Sequence, residues 1–195
     1  MLFSTERISE RYLIPVLENL LQAFPFRLQG FHTDNGSEYI NKHVAELLDK
    51  LLLELTKSRA RHSNDNDLAE TKNAAVVRKH LGYMHIPHKW APLLNQFHRR
   101  HLNPYINYHR PCFFPLTVTD HKGKQRNTYP YEKMMTPYEK LKSLPGATSY
   151  LKPGATFEQL DAIAHAISDN EAAQQTNEAK RQLFRTIFEQ DKRVA

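Results

Sequence analysis

The sequence predicts an α/β fold followed by a hairpin and a helical tail, and three observations predict it. Stripes of apolar residues spaced three and four apart mark amphipathic helices. Short runs that alternate apolar and polar residues fall between them and end in turn-forming residues, as strands do. The 195 residues are 40% hydrophobic, enough to bury the core of one ordinary domain plus an appendage.

Each element follows in order. From Ser9 to about Phe24, the residues Tyr12, Leu13, Val16, Leu17, Leu20 and Leu21 share one helix face, and Pro15 is expected to kink that helix. After Pro25, FRLQGFHT reads as a strand: Phe26 and Leu28 alternate with Arg27 and Gln29, and the turn-forming Asp34, Asn35 and Gly36 end it. A second helix from about Asn41 carries Val44, Leu47, Leu48, Leu51 and Leu52, the clearest amphipathic stripe in the chain. Leu53 to Thr56 can form a short strand, and the polar, basic KSRARHSN reads as a loop. A third helix is expected to start near Ser63 or Asn64, both good caps, and to run through Glu70 to His80 before Gly82 stops it. A fourth runs from about Trp90 to Tyr105.

Beyond Arg110 the texture changes. FPLTVT and QRNTYPY flank HKGK and predict a hairpin within residues 113–143. The two Pro-Gly pairs of SLPGATSYLKPGAT predict a linker at residues 144–156, and residues 157–195 read as a helical tail of one or two helices. Residues 1–112 form the main domain.

Composition excludes several classes. No run approaches 18 apolar residues and the first ten residues are too charged for a secretory signal, which predicts a cytoplasmic protein with no membrane partner. The single cysteine, Cys112, rules out an internal disulfide and a multi-cysteine zinc site. With no helix start or clear base beside it in the sequence, Cys112 is expected to be inert. Residues 56–143 carry 16 Lys and Arg against 6 Asp and Glu, whereas the flanking segments are slightly acidic. Eight of the 11 histidines also fall there. Positive charge interleaved with rings suits a nucleic-acid surface, because phosphates attract cations and bases stack on rings. Trp90, Tyr105 and Tyr108 are nonetheless expected in the core, and His80, His85 and His88 lack the cysteine pair that would accompany a zinc finger.

Two acids stand out. Asp34 falls where a strand gives way to a turn, and Glu70 in the first turns of a helix 36 positions later. Carboxylates at a strand end and a helix start can meet without being buried, and two Mg²⁺ ions about 3.5–4 Å apart can activate a nucleophile and stabilise a leaving oxygen at a phosphodiester. Such a pair is common in itself, so the residues around it matter.

HTDNGSEYIN at residues 32–41 resembles the second-aspartate motif of retroviral-type integrases and insertion-sequence transposases. SRARHSNDNDLAETKN at 58–73 resembles the glutamate motif of the same family, with the 35-residue gap intact. YINYHRPC at 105–112 and TPYEKL at 136–141 are similar to the Tyr-Asn-Arg-Pro and Thr-Pro-x-Glu elements that follow it. The resemblance covers about residues 1–145. It implies an RNase H-like core: a mixed sheet flanked by helices, with Asp, Asp and Glu holding Mg²⁺ or Mn²⁺ for phosphodiester cleavage and strand transfer in DNA integration and recombination. Carried over by position, Asp34 is the second aspartate and Glu70 the glutamate, both catalytic and both metal ligands. Lys57, Arg59, Arg61, Lys72, Asn73, Arg78 and Lys79 would face DNA.

The sequence departs from the family twice. No aspartate precedes Asp34, and the acids that do, Glu6, Glu10 and Glu18, fall in or beside the first helix rather than on a strand. Asp67 also stands where relatives have a small residue. The expectation is therefore an N-terminally truncated core at residues 1–112 that lacks the first strands and the first aspartate. It would be a bacterial, nucleoid-associated, transposase-like chain that has lost catalysis, with DNA and a second copy of itself as partners. The rival readings are a non-catalytic DNA-binding remnant and a fragment too incomplete to fold.

Overall fold

The computed structural model describes residues 1–7, 9–33, 42–50, 53–57 and 73–192. The described chain is mixed α/β. It forms two compact units: Ser4–Pro92, and Leu93–Ala195 together with Met1–Phe3. Among the described residues no helix is long and apolar enough to cross a membrane.

In the first unit, α1 (Glu10–Ala23) includes Pro15 within an unbroken helix, and β1 (Gly30–Thr33), α2 (Lys42–Lys50) and β2 (Glu54–Lys57) follow. The two strands pair in parallel, with Gly30 opposite Glu54 and Thr33 opposite Lys57. Parallel neighbours cannot be joined by a tight turn, so the chain must cross over between them, and α2 lies on that crossover. The apolar stripes meet as expected: Leu13 and Leu17 from α1, Val44 and Leu48 from α2, and Leu53 form a buried cluster, with Ile14, Leu21, Leu28, Phe31 and Leu47 packed around it. Leu51 and Leu52 lie outside the described residues.

The strand expected over residues 26–33 is shorter than that. Only its second half joins the ladder, because β2 offers four residues to pair with. The third helix, α3, is described from Asn73: a π-helical turn at Asn73–Arg78 continues into Lys79–Leu81. It stops at Gly82, whose φ of +79° is open to glycine and strained for any other residue.

The second unit begins in α4 (Ala91–Phe97), which is followed by π-helical turns at His98–Leu102 and Tyr105–His109. The helical path therefore extends to His109, past the Tyr105 end expected from sequence. Pro104 lacks the N–H that an α-helical ladder needs. The wide turns on either side shift the pairing by one residue, so that the Asn103 N–H reaches the His98 carbonyl and the helix passes through.

The hairpin forms as expected, with β3 (Leu116–Thr119) antiparallel to β4 (Gln125–Thr128). Asp120 builds the turn: its Oδ1 accepts the backbone N–H of Lys122 and of Lys124, at 2.8 and 3.0 Å. Residues 144–156, expected as a linker, contain a 3-10 turn at Ala147–Tyr150 in which Ala147 is buried. Two helices make up the tail, α6 (Phe157–Ala164) and α7 (Asp169–Lys192), and a short helix α5 (Pro137–Lys142) precedes them. Buried Leu94, Phe97, Leu102, Tyr138, Leu160, Leu183 and Ile187 supply apolar core residues of this unit.

Candidate metal and nucleic-acid site

The candidate site is framed by the β1–α2–β2 element. Because the two strands run in parallel, their C-terminal ends lie at one edge of the sheet, with Thr33 beside Lys57. His32 and Thr56, one residue before those ends, tie the pair together: His32 Nδ1 lies 2.9 Å from Thr56 Oγ1. In α/β sheets this carboxyl edge is where functional side chains gather, since the loops leaving it are free to vary over a rigid base. Asp34 is the next residue after β1, and residues 58–72 come next after β2.

Asp34, Glu70, Arg59, Arg61, Asp67 and Lys72 lie outside the described residues, so the expected proximity of the Asp34 and Glu70 carboxyl groups falls there too. Lys57 is the last residue of β2, and Asn73 opens α3. Arg78 and Lys79, also on α3, are exposed. The Arg78 guanidinium lies 5.5 Å from the centre of the Tyr83 ring, which is 86% exposed. A cation held over an exposed ring offers a nucleic acid both a charge and a stacking face. Of the acids that precede Asp34, Glu10 and Glu18 are on α1 and Glu6 comes before it. Among the described residues no three His, Cys, Asp or Glu side chains are drawn together as a metal group. Trp90 is buried, while Tyr105 and Tyr108 are half-buried.

The two downstream motifs meet in the second unit, and sequence reasoning did not foresee how. Cys112 and Met135 form an antiparallel bridge, the Cys112 N–H donating to the Met135 carbonyl at 2.9 Å. The bridge sets the end of YINYHRPC beside the start of TPYEKL. Tyr108 and Tyr138 then pack ring to ring with centroids 5.2 Å apart. The Thr-Pro-x-Glu element is a helix capping box: Thr136 Oγ1 accepts the Glu139 N–H at 3.1 Å, and Glu139 Oε2 accepts the Thr136 N–H at 2.7 Å. Pro137 occupies the first turn of α5, where its missing N–H costs nothing. The spacing of Thr136 and Glu139 was the signal that could have revealed this box from sequence.

Three further arrangements escaped the sequence. The Asn103 amide clamps the chain start: its Oδ1 accepts the Leu2 N–H at 2.6 Å and its Nδ2 donates to the Leu2 carbonyl at 3.1 Å. Buried Tyr138 donates its hydroxyl to Asp161 Oδ1 at 2.7 Å, and Lys142 holds the same carboxylate through both oxygens. Burial and that carboxylate push the Tyr138 hydroxyl above the ordinary tyrosine range, while Lys142 and Tyr138 hold Asp161 below the usual carboxylate range. His98 is 1% exposed, and neither ring nitrogen has a hydrogen-bond partner among the described residues.

No family model matches this chain. A stretch of 71 residues is 41% identical to a protein of Sinorhizobium fredii (strain NBRC 101917 / NGR234) named "Uncharacterized protein y4rM". The match covers 36% of this chain and about a fifth, 20%, of that relative's length.

Proposed function

We propose that this chain is an integrase-type, DNA-associated protein related to insertion-sequence transposases, with an RNase H-like core built on the β1–α2–β2 element. The single observation that carries the reading is the parallel pairing of β1 with β2. The segment that resembles the second-aspartate motif starts at the end of β1, the segment that resembles the glutamate motif comes next in sequence after β2, and the ends of the two strands are neighbours. The exposed Arg78, Lys79 and Tyr83 on and after α3 add a cationic, aromatic surface of the kind nucleic acids bind. The place of action would be the bacterial nucleoid.

The donor set bears on the metal. Asp34 and Glu70 offer the hard oxygen ligands that Mg²⁺ and Mn²⁺ prefer. A two-ion centre takes oxygen ligands beyond these two. We assign no catalytic step to Asp34 and Glu70 alone. Its proposed role is to bind DNA.

The experiment is a binding and joining assay on the 195-residue chain. Duplex DNA should bind with an affinity that falls steeply as salt rises, since each neutralised phosphate releases counterions. A labelled DNA end should not be joined to a target with Mg²⁺ or Mn²⁺ present, and Glu6→Gln should change nothing. Absence of DNA binding at low salt would refute the reading. Joining that is lost in both Asp34→Asn and Glu70→Gln would refute the assignment of a non-catalytic role.

A further inference from the structure

The β3–β4 hairpin is a two-stranded ribbon exposed on both faces. All of β3 is exposed, as are Gln125, Arg126 and Asn127 of β4. Cross-strand partners in an antiparallel pair point to the same side, so the register sorts the side chains. Leu116, Thr128, Val118 and Arg126 share one face; Thr117, Asn127, Thr119 and Gln125 share the other. The second face is made entirely of short hydrogen-bonding groups. The Thr117 hydroxyl donates to Asn127 Oδ1 at 3.0 Å, which orients the Asn127 amide and leaves its NH₂ as a donor.

Charge is added at the tip. Lys122 and Lys124 are exposed in the turn, Arg126 is exposed on the Leu116–Val118 face and Lys133 follows β4; the opposing acids are Asp120, whose Oδ1 is taken by the turn, and Glu132. A ribbon of two strands is marginal alone in water, so one with both faces bare gains stability from what it binds. The major groove of B-DNA, about 12 Å wide, admits a two-stranded ribbon. Asn and Gln make paired hydrogen bonds to adenine there, and Thr contacts any base edge or the thymine methyl.

We propose that the ribbon enters the major groove of duplex DNA with the Thr117, Thr119, Gln125 and Asn127 face toward the base edges, while Lys122 and Lys124 of the turn contact the flanking phosphates. This rests on the reading of the chain as a DNA-associated protein and adds a second contact surface to it, on residues outside all four motif segments. The two sets of side chains do different work. The cations supply affinity without sequence information, and the polar face supplies base preference.

The test is a fluorescence-anisotropy titration of random-sequence duplex DNA over a salt series, together with selection of preferred duplexes from the same pool. The variant Lys122→Ala, Lys124→Ala should lower the slope of log affinity against log salt by about 2, close to 0.9 for each lost phosphate contact. The double variant Gln125→Ala, Asn127→Ala should keep pool affinity and slope but lose the base preference of the unmodified chain. All substituted residues are exposed, so matched thermal transitions confirm that the variants remain folded. If both variants behave as the unmodified chain while Arg78→Ala, Lys79→Ala weakens binding, the ribbon inference falls and the proposed function stands. If the unmodified chain binds no duplex DNA, the proposed function falls as well. Dissociation of a dimer by Leu116→Ser, Val118→Ser, with DNA binding intact in the lysine variant, would assign the ribbon to a second copy of the chain and overturn the inference.

Discussion

Replacing His98 with leucine should make the protein less sensitive to acid at no loss of stability at neutral pH. The ring is 1% exposed and neither nitrogen has a partner among the described residues, so its neutral form suits this site and its charged form does not. Burial lowers its pKa from 6.5 to about 4. A tenfold change in proton affinity is worth about 1.4 kcal/mol, so protonating His98 in the core costs about 3 kcal/mol. The sign follows from linkage. The unfolded chain takes up this proton below pH 6.5 while the folded one resists until about pH 4, so stability falls as pH drops through that window. Between pH 7 and pH 5 the loss from this group is about 2 kcal/mol. Leucine has a similar volume and no proton to gain. Urea unfolding of both proteins at pH 7, 6 and 5 should show His98→Leu at least as stable at pH 7, with an advantage about 2 kcal/mol larger at pH 5. Parallel pH profiles for the two proteins would refute the reasoning.

Other substitutions test the packing. Leu48→Ala, at a residue 1% exposed in the first unit's core, should cost about 2–5 kcal/mol and, in thermal unfolding, lower the transition of the Ser4–Pro92 unit. Asn103→Ala removes two hydrogen bonds to Leu2 and should cost about 1–2 kcal/mol; hydrogen exchange at the Leu2 amide should accelerate in the same variant. Thr136→Ala breaks the capping box of α5 and should cost about 0.5–2 kcal/mol by denaturant titration, whereas Thr136→Ser should recover most of it.

The helical and strand elements of the first unit were legible because each has a strong local signature. The stripe of Leu13, Leu17, Val44 and Leu48 points the faces of α1 and α2 into a single cluster, and Gly82 ends α3 where its positive φ requires it. What sequence could not supply was long-range. The length of β1 is set by the four residues that β2 offers, and Pro104 is accommodated by π turns whose pairing depends on Asn103 and its neighbours. The bridge between Cys112 and Met135 joins residues 23 positions apart with no periodicity to announce it. The candidate site was legible as motifs alone. Its strand ends, Thr33 and Lys57, share a sheet edge, but Asp34 and Glu70 lie outside the described residues, so their proximity rests on the proposed family.

That proximity is the central claim, and chemical cross-linking tests it most directly. In a Cys112→Ser background, the double variant Asp34→Cys, Glu70→Cys should be joined within one chain by a bifunctional thiol reagent spanning about 8 Å, the reach of carboxylates that share a metal pair. The reading predicts rapid intramolecular cross-linking, with each single variant modified but not linked. Full modification of both thiols in a folded chain with no cross-link would contradict it.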